Sequence, residues 1–213
     1  MSPTDQPIRY VIDSTALDVA VDISSQKTGI NIQKSFRPWL TLCLEPISYT
    51  LLTFVLSLEP PGPEVMKSLL YQALQPSSDH PYGRRPDILR VDHSFSFAVL
   101  QRQGLFQQLQ IAVERSPFQQ QGTVERLFDE LRLSLHEHFS AFYNRDAEKT
   151  GETPLGSLHH ISLPQLDNVC SQWARLFSQP LQGRQPQLEF FDYCQTRWQL
   201  FPVDPHELAL LLI

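Results

Sequence analysis

Three acidic residues stand where phosphoryl-transfer chemistry would need them. Asp13 interrupts an apolar run, VIDSTALDV; Asp92 closes a short apolar segment, ILRVD; Glu125 opens a long amphipathic one, VERLFDELRLSLHEHF. Asp92 follows Asp13 by 79 positions and Glu125 follows Asp92 by 33. Carboxylates that converge repel one another unless cations lie between them. Hard divalent ions such as Mg²⁺ and Mn²⁺ take oxygen ligands, and a pair of them ~3.5–4 Å apart activates the attacking oxygen and stabilises the leaving one. Plainer explanations exist for two of the three: Asp92 can cap a strand end, and a Glu in a helix's first turn complements the helix dipole. Asp13 resists such an account, because burying an unpaired carboxylate among apolar neighbours costs on the order of several kcal/mol.

These residues act together only if the elements bearing them meet. Period-two alternation and β-branched residues predict one long strand over Tyr10–Ile23, with a bulge allowed, and then a polar loop over Gln26–Phe36. Arg37–Pro46 and Ser48–Pro60 predict two further strands joined so tightly that they must pair antiparallel. Prolines followed by Val65, Leu69, Leu70 and Leu74 on one face predict a first helix near residues 63–75, and Ile88–Asp92 the next strand, a parallel addition. A short helix closed by Gly104, a strand over Leu109–Glu114 and a long helix with Val124, Leu127, Phe128, Leu131, Leu135 and Phe139 on one face follow. Beyond the linker AEKTGETPLGS, the pattern predicts an amphipathic helix capped by Ser162, a short third helix in QGRQPQLEFFDYCQTRW, and in DPHELALLLI the start of a further element. The expected class is α/β, with a mixed five-stranded sheet flanked by helices. With the first and fourth strands adjacent at its centre, Asp13 and Asp92 lie side by side and the long helix brings Glu125 over them.

Composition limits the alternatives. The 213 residues (24.5 kDa) allow one generous domain or one with an appended piece, and 41% hydrophobic residues supply a real core. No segment approaches the ~20 apolar residues of a membrane span, and MSPTDQPIRY lacks the basic and apolar regions of a secretory signal, so the cytoplasm is the expected compartment. Cys43, Cys170 and Cys194 form no CxxC pair and have no His at ligand spacing; buried free thiols are expected. A net charge of −6 excludes holding nucleic acid by bulk electrostatics, so any DNA role must rest on a local site.

The motifs resemble the DDE transposases and retroviral-type integrases with their RNase H-like core, most closely the Mu-like and Tn-seven-like transposase branch. VIDSTALDV is similar to that branch's first-aspartate strand and RPWLTLCLEPIS to its RPWLT-x-x-x-D-x-x-S hairpin. LSLEPP is similar to the strand end before the first core helix, PDILRVDHS to the second-aspartate strand, and QQGTVERLFDEL to the G-x-x-E-R helix. The resemblance implies a βββαβαβα core over residues 1–145 and, over 146–213, a helical extension leading towards a C-terminal domain. It implies metal-dependent DNA cleavage and strand transfer, with Asp13, Asp92 and Glu125 as catalytic ligands of two Mg²⁺ or Mn²⁺ ions. The implied partners are transposon ends, target DNA, further copies of the chain and an ATPase or targeting protein, in the bacterial cytoplasm and on the nucleoid when bound to DNA. This chain departs from the pattern at Glu45-Pro46, where the family has Asp, at His93-Ser94 in place of Asn-Gly, and at Tyr49 in place of Arg. Groups around a ligand orient it, and their loss weakens a metal by ~10–100-fold. The rival expectation is therefore a catalytically degenerate core with an assembly or DNA-binding role; a stand-alone RNase H-like nuclease is a third.

Other residues are weighed against the same site. Glu45 is a further carboxylate within reach of it, and His93 a further contact to metal or phosphate or else a surface histidine. Asp18 and Asp22 read as a solvated face. His136 and His138 point to different faces of a helix, and His159 and His160 fall in a linker. Arg84, Arg85, Arg115 and Arg126, with Arg90, are the basic residues expected near the active edge, where they would contact DNA phosphates; a solvated loop accounts equally well for Arg84 and Arg85. Trp173, Leu176 and Phe177 read as core or an inter-helix seam.

Overall fold

The structure, a computed structural model, describes residues 6–27, 30–78, 81, 83–91, 95–115, 122–139, 158–178 and 185–213. The stretch predicted as one long strand is two, β1 (Arg9–Ala16) and β2 (Val19–Lys27). Residues from the next segment pin the corner between them. The Leu17 N–H donates to the Pro38 carbonyl (2.8 Å), Arg37 Nε donates to the Leu17 carbonyl (3.1 Å), and the Arg37 guanidinium also pairs with Asp18. The expected polar loop is largely a strand as well: β3 (Ile30–Phe36) pairs antiparallel with β2 from Val21↔Phe36 to Lys27↔Ile30. Its polar composition hid it, because strand pairing is made by backbone groups that the residue types do not reveal.

The hairpin of β4 (Trp39–Glu45) and β5 (Thr50–Ser57) forms as expected. α1 (Pro63–Leu74) starts on proline and buries Leu69, Leu70 and Leu74, with Met66 rather than Val65 completing the face. β6 (Ile88–Val91) is the parallel addition. α2 (Phe95–Arg102) ends before Gly104, whose φ of 73° places it in the left-handed region that glycine tolerates. A one-turn helix, α3 (Leu105–Gln108), delays the following strand, so β7 runs Ala112–Arg115 rather than 109–114. The long helix is α4 (Gly122–Phe139).

One mixed five-stranded sheet results, in the order β5-β4-β1-β6-β7, so β1 is central and β6 its parallel neighbour. β8 (His159–Ile161) joins β2 and β3 in a smaller sheet, which removes His159 and His160 from the linker assigned to them. Both faces of β1 are covered. Tyr10 and Ile12, with Cys43, pack against α1, α2 and two later helices, α6 (Gln185–Leu200) and α7 (Pro205–Leu212). Val11, with Leu42 and Leu44, packs against α4 and α5 (Leu163–Phe177). Ser162 caps α5 through a reciprocal box with Gln165, as its position predicted. α6 is 16 residues long rather than short, and DPHELALLLI forms a capped helix that buries Leu208 and Leu212 beside α1. Trp173 is core, whereas Leu176, grouped with it by spacing, is 70% exposed. All three cysteines are buried and free, and burial pushes Cys43 and Cys170 up to about 12, so neither is a thiolate at neutral pH.

Candidate carboxylate site

Asp13 lies on the central strand directly opposite Leu42 of β4, on the face that Val11 shares, and α4 packs on that face. It is 7% exposed, and its Oδ1 accepts the Ser14 N–H at 2.8 Å. Its carboxylate oxygens are donors of the kind that hard cations such as Mg²⁺ or Mn²⁺ prefer. α4 turns Val124, Leu127, Phe128, Leu131 and Leu135 into the core, and this leaves Glu125 exposed on its first turn. Arg126, the next residue, pairs with Glu130 at 3.4 Å.

Asp92 and His93 lie outside the described residues. β6 ends at Val91. The described pairs of β1 and β6, Arg9↔Ile88, Tyr10↔Leu89 and Val11↔Arg90, share one offset of 79, the interval from Asp13 to Asp92. Among the described residues no three His, Cys, Asp or Glu side chains gather as a metal-binding group.

The basic candidates separate. Arg115 ends β7 opposite Val91, exposed, and donates to Gln101 at 2.8 Å. Arg90 pairs across the strands with Glu114 at 3.4 Å. Arg84 and Arg85, expected at the active edge, lie at the other end of the sheet. The Asp87 and Ile88 N–H groups bond the Ile8 carbonyl, which sets this segment level with the start of β1, ~16 Å along the strand from Asp13 at ~3.3 Å per residue. Arg84 is built into the fold: its guanidinium donates to the Leu52 carbonyl (3.0 Å), and its own carbonyl accepts the Tyr10 hydroxyl (2.9 Å).

Glu45 does not join the carboxylate site. It is 1% exposed and closes the β4–β5 turn, accepting the Ile47 N–H (2.9 Å), the Ser48 N–H (2.5 Å) and the Ser48 hydroxyl. Its charge is felt by Tyr10 and by Cys194 of α6, on the side of the sheet away from Asp13. The three-residue spacing of Glu45 and Ser48 was the signal for this role, and Tyr49 at φ 59° completes the turn. Burial raises the Glu45 carboxyl above its ordinary 4.5, against the opposing pull of its three hydrogen bonds. The folded chain thus holds this proton more tightly than the unfolded one. Glu45 contributes stability that is fully present below about pH 4.5 and is lost as the pH rises through the folded-state value. Urea melts of wild type and Glu45→Gln are expected to differ progressively in the variant's favour between about pH 4 and pH 7. A constant difference across that range would contradict the shift.

His160 also has a partner. Its Nδ1 lies 2.9 Å from an oxygen of Asp22, which accepts the Ser35 hydroxyl as well, so Asp22 ties β8 and β3 to β2 rather than facing solvent alone. The side chains of His136 and His138 lie outside the described ones.

Comparison with known proteins gives the fold a context. No family model matches the chain, and no curated protein does. Among solved structures it is similar to the catalytic core domain of BIV integrase, at 13% identity and a TM-score of 0.51, over 91% of this chain and 100% of that one. It also matches a chain of the simian T-cell lymphotropic virus intasome in complex with PP2A regulatory subunit B56 gamma, at 14% identity and a TM-score of 0.46. That match covers 79% of this chain, which spans 47% of the other. The fold of this chain is that of an integrase catalytic core.

Proposed function

We propose that the chain is the catalytic core of a DNA transposase or integrase of the Mu-like and Tn-seven-like branch, cleaving phosphodiesters and transferring strands. The observation that carries this is Asp13: a buried carboxylate on the central strand of an integrase-core fold, on the face covered by the helix that bears Glu125. The β1–β6 offset, equal to the interval between the two aspartates, adds support. Asp13, Asp92 and Glu125 would hold two Mg²⁺ or Mn²⁺ ions. Such ions, when bound, supply Lewis-acid activation of the attacking oxygen and charge stabilisation of the leaving one. Asp13 brings a carboxylate whose strand is packed on both faces and therefore cannot drift. Glu125, on an exposed first turn, has freedom to adjust as substrate enters. Arg115 and Arg126 carry the backbone-phosphate contacts that set the register of a duplex without reading its sequence.

In this proposal residues 1–145 are the core and 146–213 the extension, and the chain works as a multimer on transposon ends and target DNA in the cytoplasm, with an ATPase or targeting protein. The test is cleavage of end-labelled duplex and branched DNA with Mn²⁺, Mg²⁺ or a chelator. Cation-dependent nicking and joining of 3′ ends is expected. Neither product, together with melting that ignores Mn²⁺, would overturn the proposal and leave a degenerate core.

A further inference from the structure

A pocket of about 210 Å³ opens at the end of the sheet remote from Asp13, lined by Ile8, Arg85, Asp87, Arg197, Trp198 and Phe201. Asp87 organises it. One carboxylate oxygen accepts the Ile8 N–H (2.8 Å) and the other accepts Arg197 Nη2 (2.8 Å), which joins α6 to the start of β1. The Arg197 guanidinium lies 5.3 Å from the centre of the Phe201 ring, and its Nε is buried with no partner among the described residues. Half-buried Arg85 donates Nη1 to Gln110 at 3.2 Å. Two guanidinium groups thus face one carboxylate whose oxygens are already engaged, and the pocket keeps a net positive charge with donor capacity to spare.

Size and rim narrow the ligand. The volume is below the ~300–1,000 Å³ of pockets for drug-sized molecules, so it admits one acidic group and a neighbouring side chain. Phe201, 50% exposed, and Ile8 give the pocket an apolar side. Trp, Arg and exposed aromatic side chains around a small pocket are what protein-binding hot spots are made of. A DNA backbone instead needs a row of cations; here there are two, on a chain of net charge −6.

We propose that this pocket docks a segment of a partner protein that presents an Asp or Glu carboxylate beside a large apolar side chain. Arg85 and Arg197 take the carboxylate, and Phe201 takes the apolar group. The test is an NMR titration of the full ¹⁵N-labelled chain with N-acetyl-Asp-Phe-amide, its Asn-Phe counterpart, and a short DNA duplex. The acidic dipeptide is expected to shift the Trp198 indole and Arg85 signals saturably, with a Kd of roughly 1 mM, and the Asn dipeptide to bind at least ~10-fold more weakly. Arg85→Gln, chosen because Arg197 also holds Asp87, is expected to weaken the acidic dipeptide ~5-fold or more with melting unchanged. Equal binding of both dipeptides, no shift at the pocket, or tighter binding of the duplex there would overturn the proposal. These outcomes are independent of whether Asp13 serves catalysis.

Discussion

Asp13→Asn is expected to lower Mn²⁺-dependent DNA cleavage by at least ~10³-fold, beyond the ~10–100-fold that follows loss of a group merely orienting a ligand. The substitution is close to isosteric, and the amide oxygen can go on accepting the Ser14 N–H. It removes a negative charge from a site 7% exposed on a face shared with Val11 and Leu42. In chelator the variant should melt close to wild type, since the side chain keeps its shape and its hydrogen bond from the Ser14 N–H. Adding Mn²⁺ should separate the two. A cation held only by the folded chain stabilises it by about 2.7 kcal/mol at 100 times its Kd, so the wild type should melt higher in Mn²⁺ and the variant should not. Activity surviving in Asp13→Asn would remove Asp13 from the chemistry. A variant less stable than wild type in chelator would show instead that its carboxylate is a structural anchor.

The largest structural effect is expected from Gly83→Ala. Gly83 sits at φ +71°, and an added Cβ would come within 2.5 Å of the Leu74 carbonyl oxygen and 2.8 Å of Val203 Cβ. Neither neighbour can yield cheaply. The Leu74 carbonyl ends α1 and accepts the Arg84 N–H, and Val203 lies between α6 and α7 in the same core. The left-handed conformation costs a non-glycine residue ~1–2 kcal/mol and overpacking ~1–3 kcal/mol, for a loss of ~2–5 kcal/mol. At ~2–4 °C per kcal/mol for a chain of this size, the melting temperature should fall by roughly 5–15 °C. Gly62→Ala is the control: nothing lies within 4 Å of its added Cβ, so thermal melting should barely change. A fall of the same size there would mean that backbone freedom, and not the fit around Gly83, is being measured.

Much of the scaffold was legible from local pattern. The β4–β5 hairpin, α1, α4 and the Ser162 cap of α5 each rest on interactions among residues close in sequence, namely alternation, helical spacing, a proline at a helix start and a capping box. That β6 joins the sheet as a parallel strand was legible too, because a strand, helix and strand in succession favour a parallel addition, but its placement beside β1 rather than beside β5, the strand before the helix, entered the reading only as a condition. Asp13 stood out because a carboxylate in an apolar run has few inexpensive explanations. The division of the long N-terminal strand was not legible, because Leu17 and Asp18 are turned by Arg37 and Pro38, some twenty positions away. β3 and β8 were missed as well: each is a strand by its pairing with β2, and a three-residue segment such as β8 is too short to show a period of its own.

Direction in space was likewise decided by tertiary structure. Arg84 and Arg85 read as basic residues near a carboxylate, yet a parallel register sends the segment before β6 to the opposite end of the sheet. Glu45 read as a possible ligand, yet hydrogen bonds from Ile47 and Ser48 and burial beside Tyr10 make it a turn closure. By itself the sequence determined which residues carry charge in apolar surroundings and which segments repeat at helical or strand periods, since both are properties of neighbours along the chain. Which charges share an end and a face of the sheet depends on register and strand order, and these are set by hydrogen bonds and packing between residues far apart in the chain.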